Sequence, residues 1–170
     1  MKLESTIGVL ARENWERNAN ILNEERLTKG PIAIIECPEE IPCNACEQAC
    51  RRQAIRIGKP ITNLPTLDEN KCIGCGACVV ACPGLAIFLV DFTLSGNKAL
   101  LSIPYESLIL PSEGSIVDAL DRRGVAVAEA KVTKVGKGKD HTMIVSLEVP
   151  KEFVQDIRGM RIASNKKGCQ

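Results

Sequence analysis

The chain has 170 residues, of which 45% are hydrophobic and 25% charged, and its formal net charge is +1. This composition is ordinary for a globular protein with one domain or two small ones, and the near-neutral charge argues against a nucleic-acid partner. No apolar run reaches the roughly 18 residues of a membrane span, and the amino end carries an acid and too short an apolar run for a secretory signal. We therefore expect a soluble protein of the reducing cytoplasm, without a membrane span.

Residues 1–29 form the first of three zones. They are charged, with scattered apolar positions, and we predict a helical arm over them. The arm is predicted to end at Gly30 and Pro31, because glycine and proline interrupt regular structure.

Residues 30–93 form the second zone, the cysteine-rich zone, in which one order of elements occurs twice. A strand over 32–36, a cysteine run, a helix over 45–52 and a strand over 54–58 make the first copy. An extended lead-in, another cysteine run and a strand over 86–90 make the second. We predict a pseudo-twofold domain, because each copy alone is too small to bury its own core.

Residues 94–170 form the third zone, where apolar and polar residues alternate with the period of a strand. The predicted strands are 99–103, 116–120, 125–135 and 142–149. Pro150 then begins a short helix that extends to about Ile157. We predict a small antiparallel β barrel or sandwich after the cysteine-rich domain, which makes the whole chain an α+β protein.

The second cysteine run has the most specific pattern in the chain. Cys72, Cys75, Cys78, Cys82 and Pro83 follow the spacing C-x2-C-x2-C-x3-C-P, which holds bacterial-type iron–sulfur clusters. The other four cysteines of the zone lie upstream in a first run: Cys37, Cys43, Cys46 and Cys50. Two sets of four thiols are the ligands of two [4Fe–4S] clusters.

Zinc and disulfides are the alternative uses of so many cysteines. Zinc sites often add histidine to paired cysteines, whereas here the runs continue to a fourth cysteine and the one histidine, His141, lies far along the chain. A disulfide framework needs an oxidising compartment, which no feature of the sequence indicates. Cys169 stands apart near the carboxyl end, and we expect an incidental thiol there.

The two runs are predicted to exchange their last ligands. In two-cluster proteins the fourth cysteine of each run binds the cluster of the other run. The ligand sets are then Cys50, Cys72, Cys75 and Cys78, called the Cys50 set, and Cys37, Cys43, Cys46 and Cys82, called the Cys37 set. Gly74 and Gly76 would let the backbone approach a cluster and direct amide hydrogens at its sulfur atoms.

The first run departs from the pattern at both ends. Five residues rather than two separate Cys37 from Cys43, and Cys50 is followed by Arg51 and Arg52 instead of proline. An outward bulge would still bring Cys37 to the cluster. If it did not, the Cys37 set would hold a [3Fe–4S] centre. The two arginines would either raise the cluster potential or meet an acidic partner, unless they form an ordinary solvated helix end.

No pattern predicts a catalytic residue. Asp118, Asp121 and Glu129 show no pairing typical of acid–base chemistry, and the third zone has neither a nucleophile with its base nor a phosphate-binding loop. We therefore expect a non-catalytic, electron-carrying part of an oxidoreductase, with a third zone used for docking or shielding.

The cysteine-rich zone resembles the bacterial two-cluster ferredoxins, through Cys72 to Pro83 and the paired run Cys37 to Cys50. Three wider stretches, Arg26 to Cys37, Ile41 to Cys46 and Ile61 to Pro65, resemble a narrower family, the ferredoxin-type subunits encoded beside FAD-dependent oxidoreductases. In the third zone, Val117 to Gly124 and Val149 to Glu152 resemble the β-domain of the same subunits.

This resemblance implies an iron–sulfur subunit of a multi-subunit amino-acid or amine dehydrogenase. Its partners would be an FAD-containing subunit and, in some systems, a small [2Fe–2S] subunit. The chain would relay electrons between the flavoprotein and an external acceptor. Two alternatives are a free, diffusing ferredoxin, which would need neither the arm nor the third zone, and an iron–sulfur protein that senses oxygen or iron.

Overall fold

The computed structural model describes residues 24–138 and 142–162, which are mostly antiparallel β structure. The helices are α1 (Glu24–Leu27), α2 (Ala45–Ala49), α3 (Ala77–Ala81) and a 3-10 helix at Lys151–Phe153. The strands are β1 (Ile32–Ile35), β2 (Ile55–Arg56), β3 (Thr66–Leu67), β4 (Ile87–Asp91), β5 (Lys98–Tyr105), β6 (Ile116–Leu120), β7 (Ala126–Lys137), β8 (Met143–Pro150) and β9 (Gly159–Ile162). None of the described helices is long and apolar enough to cross a membrane.

Seven strands form one sheet in the order β1-β4-β5-β8-β7-β6-β9, with antiparallel pairing throughout. The other two strands, β2 and β3, pair with each other. The ladder between β4 and β5 sets Leu89 opposite Ser102 and thereby joins the cysteine-rich zone to the third zone. The division of the chain into domains at residues 29/30 and 93/94 stays a prediction.

The large sheet is not a closed barrel, so the barrel alternative of the predicted barrel or sandwich is wrong. Among the strands of residues 24–138 and 142–162, β1 and β9 each have one neighbour and stand at the two edges. A barrel needs a hydrogen-bonded ladder between its first and last strands. Here a side-chain contact joins the two ends of the sheet, because Glu36, just after β1, pairs with Arg158, just before β9.

β1 and β4 separate two hydrophobic cores. Successive side chains of a strand point to opposite faces, so Ile32 and Ile34 of β1 enter the larger core, formed mainly by the third zone. Ala33 and Ile35 enter a smaller core that includes Cys78. β4 alternates in the same way. This strand pair therefore supports both the aliphatic core and the cysteine-bearing helices.

The cysteine-rich zone is a structural duplication, which is consistent with a ferredoxin-type domain. α2 and α3 have five residues each and lie against each other. Each strand of the first copy pairs with a strand of the second, β1 with β4 and β2 with β3. Equivalent bonds follow these pairs: the amide of Asp68 donates to the carbonyl of Ala54 at 2.7 Å, and that of Glu36 to Ala86 at 2.8 Å. The two copies are therefore interleaved.

The secondary structure after β8 differs from the prediction for the third zone. The helix predicted over 150–157 is a 3-10 helix followed by a turn. The guanidinium of Arg158 satisfies a backbone carbonyl of this turn, because it donates to the carbonyl of Val154 at 2.7 Å. The sequence does not predict β9, since its four residues carry too little alternation. Of the predicted arm, residues 1–23 lie outside the described part.

Candidate iron–sulfur centre

Two short helices hold the third cysteine of each run. Cys46 lies in the first turn of α2 and Cys78 in the first turn of α3, and both are buried. α2 ends before the predicted residue 52, so Cys50 forms its C-cap just as Cys82 forms that of α3. The fourth cysteine of each run therefore stands where the chain leaves its helix.

The turns after the two helices are matched. The amide of Ala54 donates to the sulfur of Cys50 at 3.2 Å, and the amide of Ala86 donates to the sulfur of Cys82 at 3.4 Å. In both turns the residue before that amide has a left-handed backbone, with φ of 51° and 52°. Hydrogen bonds of this kind orient a ligating sulfur and tune a metal centre bound to it.

One cavity brings together cysteines from both runs. Cys50, from the first run, lines it with Cys72, Cys75 and Cys78, from the second. These are the four members of the Cys50 set. Burial, and then the neighbouring thiols of Cys72, Cys75 and Cys50, raise the pKa of Cys78 to about 12. The four thiols are thus close enough to interact electrostatically.

The Cys37 set is grouped in the same way. Burial raises the pKa of Cys46 to about 11, with contributions from Cys82 and Cys43. The pKa of Cys37 is also raised, by burial and then by the same two neighbours. Cys82, from the second run, is therefore near the thiols of the first. Metal binding at these buried thiols must displace protons, since thiolates are the ligands.

The donor atoms of the two sets suit iron–sulfur clusters. Four thiolates are the ligands of a [4Fe–4S] cluster. No three Cys, His, Asp or Glu side chains form a site for a single metal ion within residues 24–138 and 142–162. His141 and Cys169 lie outside the described residues. That all eight cysteines are ligands stays a prediction, which the two groupings of thiols support.

Gly74 lets the loop between Cys72 and Cys75 lie against Pro31. Its φ is +62°, and a Cβ atom there would lie 2.5 Å from both the Cβ and the carbonyl oxygen of Pro31. Gly76, the N-cap of α3, is also left-handed, with φ of +78°. At Gly74 the structure therefore shows a close approach of the backbone to Pro31, at the start of the cysteine-rich zone.

Arg26 fixes the same loop from the end of the arm. Its guanidinium donates to the carbonyls of Gly30, Glu69 and Cys72 at 3.1, 3.0 and 2.6 Å. Arginine suits this role because its planar fork presents several donors. The sequence gives no signal for the contact, since Cys72 lies 46 positions further along the chain.

The residues between Cys37 and Cys43 form an exposed bulge. The side chain of Ile41 is 52% exposed, and Glu39, Glu40 and Pro42 are exposed too. The thiols on either side of the bulge still interact, because Cys43 is among the causes of the raised pKa of Cys37. This arrangement favours four ligands in the Cys37 set over the three of a [3Fe–4S] centre.

A buried carboxylate precedes the first cysteine run. The Oε1 atom of Glu36 accepts hydrogen bonds from Arg158 Nε at 3.0 Å and from Arg122 Nη2 at 2.6 Å. Burial alone would raise the pKa of Glu36, but the hydrogen bonds and charges of Arg158 and Arg122 hold it below its usual value. Glu36 is therefore an ionised link between the first run and the third zone. The sequence does not predict this link, because its two arginine partners lie 86 and 122 positions further along the chain.

Residues 65–88, which hold the second cysteine run, match the family of 4Fe–4S binding domains. The chain carries a ferredoxin-type 4Fe–4S domain. An iron–sulfur protein that transfers electrons agrees with this match, with the cysteine spacing and with the ferredoxin-like relatives.

Three relatives match stretches of different length. The polyferredoxin-like subunit of the aliphatic sulfonate oxidoreductase of Pyrococcus furiosus is 39% identical over 54 residues, 32% of this chain and 28% of that subunit. One subunit of the ion-translocating oxidoreductase complex of Methanosarcina acetivorans is 45% identical over 49 residues, 29% of this chain and 17% of that protein. Protein Pixie of Drosophila melanogaster is 28% identical over 131 residues, 69% of this chain and 21% of Pixie.

The chain therefore spans less than a third of each of these relatives. No solved structure matches it. These matches leave the partner of this chain to be inferred from its own residues.

Proposed function

We propose that the chain is an electron-transfer subunit with two [4Fe–4S] clusters, one held by the Cys50 set and one by the Cys37 set. The observation that carries this proposal is the cavity that Cys50 lines with three cysteines of the other run. A chain with two self-contained sites would not need Cys50 there. The pairing of Cys82 with thiols of the first run supports the same exchange.

The residues around the Cys50 set prepare its thiols for a cluster. Such a cluster, when bound, accepts and releases one electron at a time. The amide of Ala54 holds the sulfur of Cys50, and the loop that carries Cys72 is fixed by Arg26 and by the contact of Gly74 with Pro31. Arg52 also lines the cavity, and its positive charge would favour the reduced state.

The partner we propose is a flavoprotein dehydrogenase, from which the chain passes electrons to an external acceptor. The resemblance of Arg26 to Cys37 to ferredoxin-type subunits supports this choice, as does an exposed route to the Cys50 set. Cys75 is the exposed cysteine among the eight described, and the neighbouring side chain of Ile73 is 57% exposed. A partner could therefore approach this set directly.

Anaerobic redox titration of the full reconstituted chain tests the electron-transfer role. Two clusters should take up about two electrons per chain, and reoxidation should restore the starting spectrum. Loss of iron during the cycle would indicate a sensor and would contradict the proposal. The partner is tested separately, by flavin analysis of the complex that copurifies with the tagged chain from its own host. A chain that purifies without flavin would instead be a free ferredoxin.

A further inference from the structure

A wide groove runs between the cysteine-bearing helices and the hairpin of β7 and β8. Its volume is about 740 Å³. One wall carries Ala49 of α2 and Val80 of α3, and the other carries Lys134 and Ile144 of the hairpin. The hairpin is packed tightly on the helix, because a Cβ atom at Gly138 would lie 2.4 Å from a methyl carbon of Val80. The hairpin and α3 are therefore in direct contact at Gly138.

Within residues 24–138 and 142–162, the charged side chains that line this groove are all basic. They are Arg51, Lys134 and Lys137, and no Asp or Glu of these ranges lines the groove. All three are exposed, and none of them forms an ion pair within the described part of the chain. Three unpaired positive charges around one groove favour an anionic occupant. We call this surface the basic groove.

The basic groove and the cavity of the Cys50 set share a wall. Cys75, Gly76, Ala77 and Leu89 line both. Cys75 is also the exposed cysteine of the set. A protein segment seated in the basic groove would therefore lie against the most accessible ligand of the proposed cluster. Electron transfer slows steeply with distance, so this is where close approach would matter most.

We infer that the basic groove docks an acidic surface segment of the redox partner and so delivers electrons through the side of the Cys50 set that holds Cys75. The inference rests on the proposed function. A protein segment fits better than a small anion, because one of the three charges lies just after α2 and two lie on the hairpin, while the other described lining residues are uncharged. Electrostatic complementarity of this kind mainly accelerates association and fixes its orientation.

The experiment uses the full reconstituted chain and an acetylated decaglutamate peptide as the acidic segment. Binding is measured by isothermal titration at low ionic strength, and the variant Lys134→Glu/Lys137→Glu reverses two groove charges. We expect this variant to bind the peptide roughly tenfold more weakly or not at all. The peptide should also slow the oxidation of the reduced chain by hexacyanoferrate(III), with a smaller effect in the variant.

The matched control is Arg56→Glu/Lys59→Glu, which makes the same charge change at two exposed residues that do not line the groove. It should keep peptide binding within about twofold of the unmodified chain. Equal losses in both variants would show a net-charge effect and overturn the inference, as would binding of inorganic phosphate without binding of the peptide. If Lys134→Glu/Lys137→Glu loses iron, Lys134→Gln/Lys137→Gln replaces it.

Failure of the proposed function would look different. Iron content and redox titration are measured first on the same samples, and a chain that binds decaglutamate but loses iron on cycling would contradict the proposed function and not the docking site. Conversely, a chain that cycles two electrons but does not bind decaglutamate would keep the proposed function and exclude the basic groove as an acidic docking site.

Discussion

The third zone and the cysteine-rich zone are built in different ways. In the third zone, β5 and β8 have eight residues each, and Leu101 and Leu147 face each other across them with no exposed surface. In the cysteine-rich zone the strands have two to five residues, and the smaller core contains the thiols of Cys46 and Cys78. Hydrocarbon burial can stabilise the first by itself. We expect the second to need its clusters.

The largest effect on this difference between the zones should come from removal of Cys50, the ligand that links the first run to the cluster of the second. Cys50→Ala should lower the iron content from about eight to about seven or fewer per chain, because the set built on the second run loses its fourth ligand and can hold at most a [3Fe–4S] centre. Iron analysis and spectroscopy of the reconstituted chain measure this. Cys169→Ala is the control and should keep all the iron. Loss of the cluster on Cys43 and Cys46 instead would mean that each run is self-contained.

The link between the two zones gives the next largest effect. Glu36→Ala leaves Arg158 buried without its partner, and removing one member of a buried pair costs about 3–5 kcal/mol. Anaerobic thermal unfolding followed by circular dichroism should show a marked drop in midpoint.

The control for this link is an ion pair at the surface. Asp118→Ala breaks the pair with Arg161, whose side chain is 58% exposed, and exposed pairs contribute about 0–1 kcal/mol. If the two variants unfold at the same temperature, Glu36 does not join the zones energetically.

A smaller effect should come from Gly74. Gly74→Ala must adopt a left-handed backbone, at about 1–2 kcal/mol, and must also displace Pro31. Gly58 is the matched control, because its φ is +70° but no atom lies within 4 Å of a Cβ placed there. Gly58→Ala should show the backbone cost alone and normal iron content. Equal iron contents and midpoints for both variants would show that the contact with Pro31 is unimportant.

Much of this arrangement could be predicted from local patterns. The strand over Ile116–Leu120 has the predicted bounds, and the other predicted strands of the third zone lie within those observed or differ by a few residues, because alternation marks them clearly. The 4Fe–4S domain was predicted from the spacing of Cys72 to Cys82, which the family match to residues 65–88 confirms.

The features that were missed depend on contacts between distant residues. Neither Arg26 nor Glu36 stands out in the sequence, because their partners are brought to them only by the folded sheet. The predicted barrel failed for a similar reason. Strand patterns indicate individual strands, but they do not show whether the edge strands β1 and β9 bond to each other. The basic groove likewise joins residues of α2, α3 and the hairpin that no motif connects.

Native mass spectrometry of the full chain, reconstituted under anaerobic conditions, tests the central claim most directly. Two cubanes predict a mass increase equal to about eight irons and eight sulfides per chain. About seven irons would mean that Cys37 does not bind. One cluster alone, or zinc in place of iron, would contradict the assignment of these eight cysteines to two exchanged ligand sets.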